Sequence, residues 1–244
     1  MCGRFANTFD AAALTALFQT AIPLSNSRPL PAYNITPGTP VPVILAGDNA
    51  RKAEYMHWGI ASPAPATNIS GGKAASRGLL INARAETMTE KPTFKQAALG
   101  RRCIVLASGW YEWKAPKQPY YISRTDGAPM AFAGLYWGGE LSSTVIITSA
   151  ADAELADIHH RAPLQISVDG TDHPAYNAGH NNAIDAWLDP SQSAEQINRM
   201  IAPSSAAPLT WHPVSPDVGR NTENHKGLIE SYDAAAHDPQ PSLF

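Results

Sequence analysis

Cysteine is nearly absent: Cys2 and Cys103 could form one bridge at most. That is too few for a disulfide framework or a four-thiolate zinc site, and a reducing cytoplasm suits such a chain. No apolar run reaches the length that crosses a bilayer, and the apolar patch Ala11–Phe18 follows Asp10 rather than a basic segment, so neither a spanning nor an exported protein is expected. Charge is sparse, at 16% of residues with a net of -3, which argues against a generally basic nucleic-acid binder. A phosphate-cradling loop is missing, because Gly71-Gly72-Lys73 lacks the strand-loop-helix context. The eight histidines include His173, His180, His212, His225 and His237, which show no paired ligand spacing, so no metal and no cofactor are expected.

What is present is 244 residues at 44% hydrophobic, enough to bury a sizeable core. With 21 prolines and 17 glycines the chain is turn-rich, and an all-helical bundle is not expected. Charge is unevenly placed. Residues 51–124 hold twelve Lys/Arg against four acids, a net of +8, while the remainder holds six against seventeen, a net of -11. A basic face on an acidic protein and a merely solvated surface both fit that asymmetry.

Asp10 is a good N-cap before Leu14, Leu17 and Phe18, which predicts a helix over Ala11–Gln19. Pro23, Pro29, Pro31, Pro37, Pro40 and Pro42 then impose an extended, irregular stretch. Strands are expected at Val41–Leu45, Glu54–Ile60, Arg102–Leu106, Gly109–Trp113, Pro119–Arg124, Ala131–Tyr136, Ser143–Thr148 and Leu164–Val168. Helices are expected at Thr93–Leu99, Ala183–Leu188 and Ala194–Ile201, a surface loop at Ala61–Gly78, and a frayed tail at Ala234–Phe244. Many short strands with few helices between them predict an α+β fold, a single domain of mixed or antiparallel sheets closing into a barrel-like core with flanking helices. The domain is taken to span residues 1–229, with 230–244 as a C-terminal tail.

Cys2 carries the most chemical information. Removal of Met1 would leave a cysteine with a free α-amine, a 1,2-aminothiol whose amine titrates near ~7.7–8.0 and whose thiol titrates near ~8.5. Such a group can act as an N-terminal nucleophile, the amine serving as base for the thiol. Alternatively it captures an aldehyde as a Schiff base and closes to a thiazolidine. An ordinary second residue is the third option. Met1-Cys2-Gly3 alone resembles the start of class II glutamine amidotransferases, and a glutamine amidotransferase-like or other N-terminal-cysteine hydrolase is the alternative reading. Longer motifs follow in order: Met1-Cys2-Gly3-Arg4-Phe5, Tyr33-Asn34-Ile35-Thr36-Pro37, Trp58-Gly59-Ile60, Asn82-Ala83-Arg84-Ala85-Glu86-Thr87, Arg102-Cys103-Ile104, Gly109-Trp110-Tyr111-Glu112-Trp113, Phe132-Ala133-Gly134-Leu135, Ile158-His159-His160-Arg161-Ala162-Pro163 and Pro213-Val214-Ser215. Over about Met1 to Ile229 these resemble the SRAP family of SOS-response-associated, abasic-site-processing proteins.

That resemblance implies a protein of the DNA damage response that binds abasic sites in single-stranded DNA and cross-links to them through mature Cys2. The family's peptidase label describes at least the loss of Met1. It further implies a monomer without membrane association, cytoplasmic and at the nucleoid when bound to DNA. The reaction needs acid/base help, for which Glu112 is the candidate, its carboxyl raised by Trp110, Tyr111 and Trp113; alternation puts Trp110 on its face. His159 matches the family histidine as second proton carrier, although His160 stands where the family has an acid and Ala162 where it has methionine. If the chain is extended there, only one of the two histidines faces the site. Asn82 offers an uncharged amide for the sugar or the α-amine. Arg4, Arg84 and Arg161 are phosphate-contact candidates, with ion pairing such as Arg84 with Glu86 the competing use. Thr148 resembles a family position at the phosphate, and Trp58 and Trp113 are candidate base-stacking platforms, with core packing as the alternative. After Trp58, Ile60-Ala61-Ser62-Pro63 departs from the family continuation, and so does Val218-Gly219-Arg220 nearer the C-terminus.

Overall fold

Asp10 closes the amino end of the first helix as its side chain predicts, its carboxylate accepting the Ala13 N–H at 2.7 Å. A computed structural model of the chain describes residues 2–23, 29–48, 50–62, 78–168, 183–201 and 208–233. Most of the expected loop at Ala61–Gly78, the tail Ala234–Phe244, and His173, His180 and His237 lie outside the described residues. In chain order the elements are β1 (Arg4–Asn7), α1 (Ala11–Phe18), β2 (Ala32–Ile35), β3 (Pro40–Leu45), β4 (Lys52–Trp58), β5 (Ile60–Ala61), β6 (Leu79–Leu80), β7 (Asn82–Arg84) and α2 (Pro92–Gly100). There follow β8 (Arg102–Ala107), β9 (Gly109–Lys114), β10 (Gln118–Arg124), β11 (Met130–Trp137), β12 (Ser143–Ala150), α3 (Ala153–Ala156), β13 (Arg161–Pro163), β14 (Gln165–Ile166), α4 (Ala183–Leu188), α5 (Ala194–Met200) and β15 (Leu209–Pro213).

The strands form two main sheets. One has the order β15-β10-β9-β1-β2; in the other, β12-β4-β3-β8-β11 run side by side and a β11–β12 pairing closes the ring. The expected α+β domain with a core that closes on itself is what the ladders give. Both faces of β3 and β8 are buried. On β8, Ile104 and Leu106 pack with Phe18, Phe94 and Trp187 of the helices, while Cys103, Val105 and Ala107 pack with Phe5, Trp58 and Trp110. Two buried faces explain why these strands read as unbroken apolar runs instead of an alternation.

Several boundaries differ from expectation for local reasons. β4 stops at Trp58 because Gly59 sits at φ +117, a conformation side chains resist, and the chain restarts as β5. The proline-rich stretch contains β2, which no apolar run announced. Of the strand expected over Leu164–Val168 only β14 (Gln165–Ile166) forms, pairing with β11, and a separate β13 just before it pairs with β12. Gly109 opens β9 where a Cβ would come within 2.5 Å of the Ile122 carbonyl and the Tyr121 ring, so only glycine lets β9 and β10 approach there. That approach fixes the register that places Glu112.

Candidate active site around Cys2

Four short elements bring Cys2, Asn82, Glu112 and His159 together. β1 pairs with β9 through Arg4 opposite Tyr111 and Phe5 opposite Trp110, which leads the chain's start back along β9 towards Glu112. β7, three residues long, runs parallel to β12 with Asn82 opposite Ile146. The turn after α3 carries His159, whose backbone N–H donates to the Leu155 carbonyl at 3.1 Å.

Cys2 is fully buried with Phe5, Trp58 and Trp110. Its backbone carbonyl accepts the Asn82 Nδ2 proton at 2.8 Å. Asn82 Oδ1 is buried with no hydrogen-bond partner among the described residues, an arrangement that costs ~1–3 kcal/mol unless a ligand or the mature amine supplies a donor. Glu112 is buried, and burial pushes its carboxyl up to about 7. Its Oε1 lies 4.0 Å from His159 Nδ1. Burial, followed by the negative charge of Glu112, raises the Cys2 thiol well above its ordinary value. Burial lowers His159, with the positive charges of His160 and Arg161 acting in the same direction. His159 Nδ1 sits between the Arg161 N–H (3.0 Å) and the Arg161 carbonyl (3.1 Å). Neutral, it accepts from the first; protonated, it donates to the second.

Of the neighbours expected to wall in Glu112, Trp110 shares its face and is fully buried, while Tyr111 and Trp113 belong to a separate cluster on the opposite face. Trp113 is half-buried there and does not adjoin the Glu112 carboxyl. Trp58 is a core residue, fully buried, edge-on to Phe5 with ring centroids 5.0 Å apart and its Nε1 donating to the Ile81 carbonyl at 3.0 Å. It presents no face to a base; core packing is its use here.

The arginines divide. Arg84 is exposed at the end of β7. Arg161 is buried and forks onto Glu86, with Nη2 to Oε2 at 3.0 Å and Nη1 to Oε1 at 2.5 Å. It also donates to the backbone carbonyl of Thr148 and, at 3.3 Å, to its hydroxyl. The ion pair with Glu86, weighed as the competing use of Arg84, is made by Arg161, because β13 lies against β12 beside the turn that carries Glu86. Thr148 is fully buried and bound by Arg161, not open to a phosphate. Arg4 ties β1 to the C-terminal segment, donating to Asn34 Oδ1 (2.8 Å), Asn221 Oδ1 (2.5 Å) and the Gly219 carbonyl (2.9 Å). Asn34 completes that clasp by donating to the Val218, Arg220 and Glu223 carbonyls, a structural role for the Tyr-Asn-Ile-Thr-Pro motif.

The extended chain assumed at His159-His160 is absent. Both residues lie in the turn between α3 and β13, and their rings stack at 4.4 Å with 25° between planes, so the two imidazoles share one side. Among the described residues, no three His, Cys, Asp or Glu side chains converge as a metal site requires, and no helix is long and apolar enough to cross a membrane.

A family profile described as SOS response associated peptidase (SRAP) matches residues 1–221. The abasic site processing protein YedK of Escherichia coli is 33% identical over 244 residues, spanning 94% of this chain and 99% of its own. The abasic site processing protein YoqW of Bacillus subtilis is 28% identical over 95% of this chain and its full length. A crystal structure of a protein from Bacteroides thetaiotaomicron superposes with a TM-score of 0.71 at 23% identity, covering 95% of this chain and all of that one, a likeness of fold.

Proposed function

The chain belongs to the SOS response associated peptidase (SRAP) family, and from that membership and its site we propose that it processes abasic sites in single-stranded DNA by cross-linking to them through mature Cys2. The observation that carries the reading is the buried Glu112 carboxyl, held at about 7 beside Cys2 and 4.0 Å from His159. A carboxyl poised there can both give and take a proton at neutral pH. Once Met1 is removed, the α-amine of Cys2 attacks the C1′ aldehyde of the opened deoxyribose to give a carbinolamine. Glu112 protonates the departing hydroxyl, water leaves, and an imine remains. The thiol then adds across C=N: sulfur bonds to C1′, its proton ends on nitrogen, and a thiazolidine closes with a net loss of one water. Asn82 holds the Cys2 backbone through Nδ2 and offers Oδ1 to the amine or the sugar hydroxyl. His159 serves as second proton carrier, for ring opening and for reversal.

The raised thiol favours this order over an N-terminal nucleophile hydrolase. A hydrolase needs sulfur to attack first as thiolate, and burial raises the Cys2 thiol, which works against that. Sulfur in the proposed route attacks second, on an already electrophilic imine. Exposed Arg84 is the phosphate contact that remains available in this reading. The protein acts as a monomer in the cytoplasm, at the nucleoid when on DNA, and removal of its own Met1 is the peptidase step. Incubation with an abasic oligonucleotide followed by intact-mass measurement tests the reading: protein lacking Met1 and heavier by the oligonucleotide minus one water is expected, and mature protein without adduct would refute it.

A further inference from the structure

Two half-exposed aromatic side chains stand on the Glu112 face of the five-stranded sheet and take no part in the chemistry described above. Tyr120 is the β10 partner of Glu112 and, across the next ladder, of Pro213 in β15. Partners in a ladder share a face, and residues two apart on a strand do so as well, so Trp211 lies on that face too, opposite the buried Ile122. Their alternating neighbours agree: Tyr121 and His212 meet on the far side, ring centroids 6.0 Å apart. Tyr120 and Trp211 both pack on the cluster that holds Cys2 and Trp110. Two inter-strand steps and two residues of rise put Trp211 about 12 Å from Glu112 along the sheet, a span that a DNA strand covers in a few nucleotides.

Beside Trp211 opens a cavity of about 420 Å³ with Leu155, Leu209 and Pro208 among its other apolar walls. A neighbouring cavity of about 440 Å³ shares Leu155 and Leu209 with it. Leu155 belongs to α3, and its carbonyl accepts the His159 N–H, so one turn of chain both positions His159 and walls the cavity. Asp152 and Glu154, both exposed, also border the opening.

We propose that this cavity holds a nucleobase of the bound strand, within three nucleotides of the lesion, stacked on Trp211, with Tyr120 as the step between it and Glu112. The inference rests on the proposed recognition of abasic DNA and adds where the strand goes after the lesion. An indole among aliphatic walls suits a flat π-system, and stacking tolerates any base because each has a π-face. The carboxylates of Asp152 and Glu154 repel a phosphate, so the strand must enter base first. Trp58, buried in the core, leaves this task vacant, and Trp113 is on the other face of β9.

The test pairs a protein change with a DNA change. Binding is measured by fluorescence anisotropy to single-stranded oligonucleotides carrying one tetrahydrofuran abasic analogue, which has no aldehyde and cannot cross-link. A second tetrahydrofuran is then placed at each of the three positions on either side. Trp211→Ala is expected to weaken binding about 5- to 150-fold, the usual worth of one stacked base. Trp211→Phe should restore most of the loss. One doubly substituted oligonucleotide should bind the unaltered protein that much more weakly, and on it Trp211→Ala should cost nothing further. If no flanking base matters to the unaltered protein, or if Trp211→Ala weakens every oligonucleotide equally, the cavity does not hold a base. An unaltered protein that binds none of the oligonucleotides would overturn the abasic-DNA reading itself, and this inference with it; binding without dependence on Trp211 overturns the inference alone.

Discussion

Replacing Glu112 by glutamine should separate stability from activity, because the carboxylate that serves the reaction opposes folding. In the unfolded chain a glutamate titrates near 4.5; in the folded protein burial lifts it to about 7. A raised carboxyl makes folding favour the protonated form. Stability is therefore fully present below the unfolded value and falls as pH rises from 4.5 towards 7, levelling off above it. Each pKa unit is worth ~1.4 kcal/mol, so the shift costs on the order of 3 kcal/mol at pH 8 and about 1 kcal/mol at pH 5. Glutamine keeps the size and never ionises. Glu112→Gln should thus raise the melting temperature at pH 8 by several degrees, at roughly 2–4 °C per kcal/mol for a chain of this size, with a much smaller gain at pH 5. Cross-linking should fall ~100- to 10,000-fold at saturating DNA while affinity holds. Thermal unfolding at the two pH values and a denaturing-gel time course measure both. A variant that gains nothing at pH 8 relative to pH 5 would show that Glu112 is not held neutral by burial, and a parallel loss of binding and rate would make it a structural residue.

Cys2→Ala should abolish a heat-stable adduct and Cys2→Ser should leave a weak, reversible one; an extra residue between Met1 and Cys2 should match Cys2→Ala, all read by denaturing gel. Glu86→Ala should destabilise the fold by ~1 kcal/mol in urea titration, because it removes a forked ion pair whose carboxylate is half exposed and leaves Arg161 its bonds to Thr148. Arg84→Ala should leave stability unchanged and flatten the salt dependence of DNA binding, and an unchanged slope would remove Arg84 as a phosphate contact. His159→Ala should impair adduct formation or reversal, while His160→Glu should leave the adduct chemically intact and move the pH–rate profile upward, since a carboxylate replaces the imidazole stacked on His159. A profile in which His160→Ala is the more damaged variant would exchange the two roles.

How far the sequence reaches follows from the range of the interactions involved. The Asp10 cap, the apolar runs of β3 and β8 and the alternation that puts Trp110 beside Glu112 are set by neighbours a few residues away, so they are written in the chain and the structure contains them. The ordered motifs placed Cys2, Asn82, Glu112 and His159 on one list of candidates, and the fold brings those four together. β7 is different: three residues carry no periodicity, and Asn82 reaches Cys2 only because β7 pairs with β12, more than sixty residues on. Partner choice is likewise tertiary. Arg161 rather than Arg84 takes Glu86, Thr148 is spent on Arg161, and Trp58 is a core ring rather than a platform, because each depends on which strands become neighbours. The same holds for Tyr120 and Trp211, which lie ninety-one residues apart in sequence and share the Glu112 face only through the β9–β10–β15 register. Composition and spacing determine which groups the chain owns; the ladders determine which of them meet, since burial and hydrogen bonding act over a few ångströms of space regardless of distance along the chain.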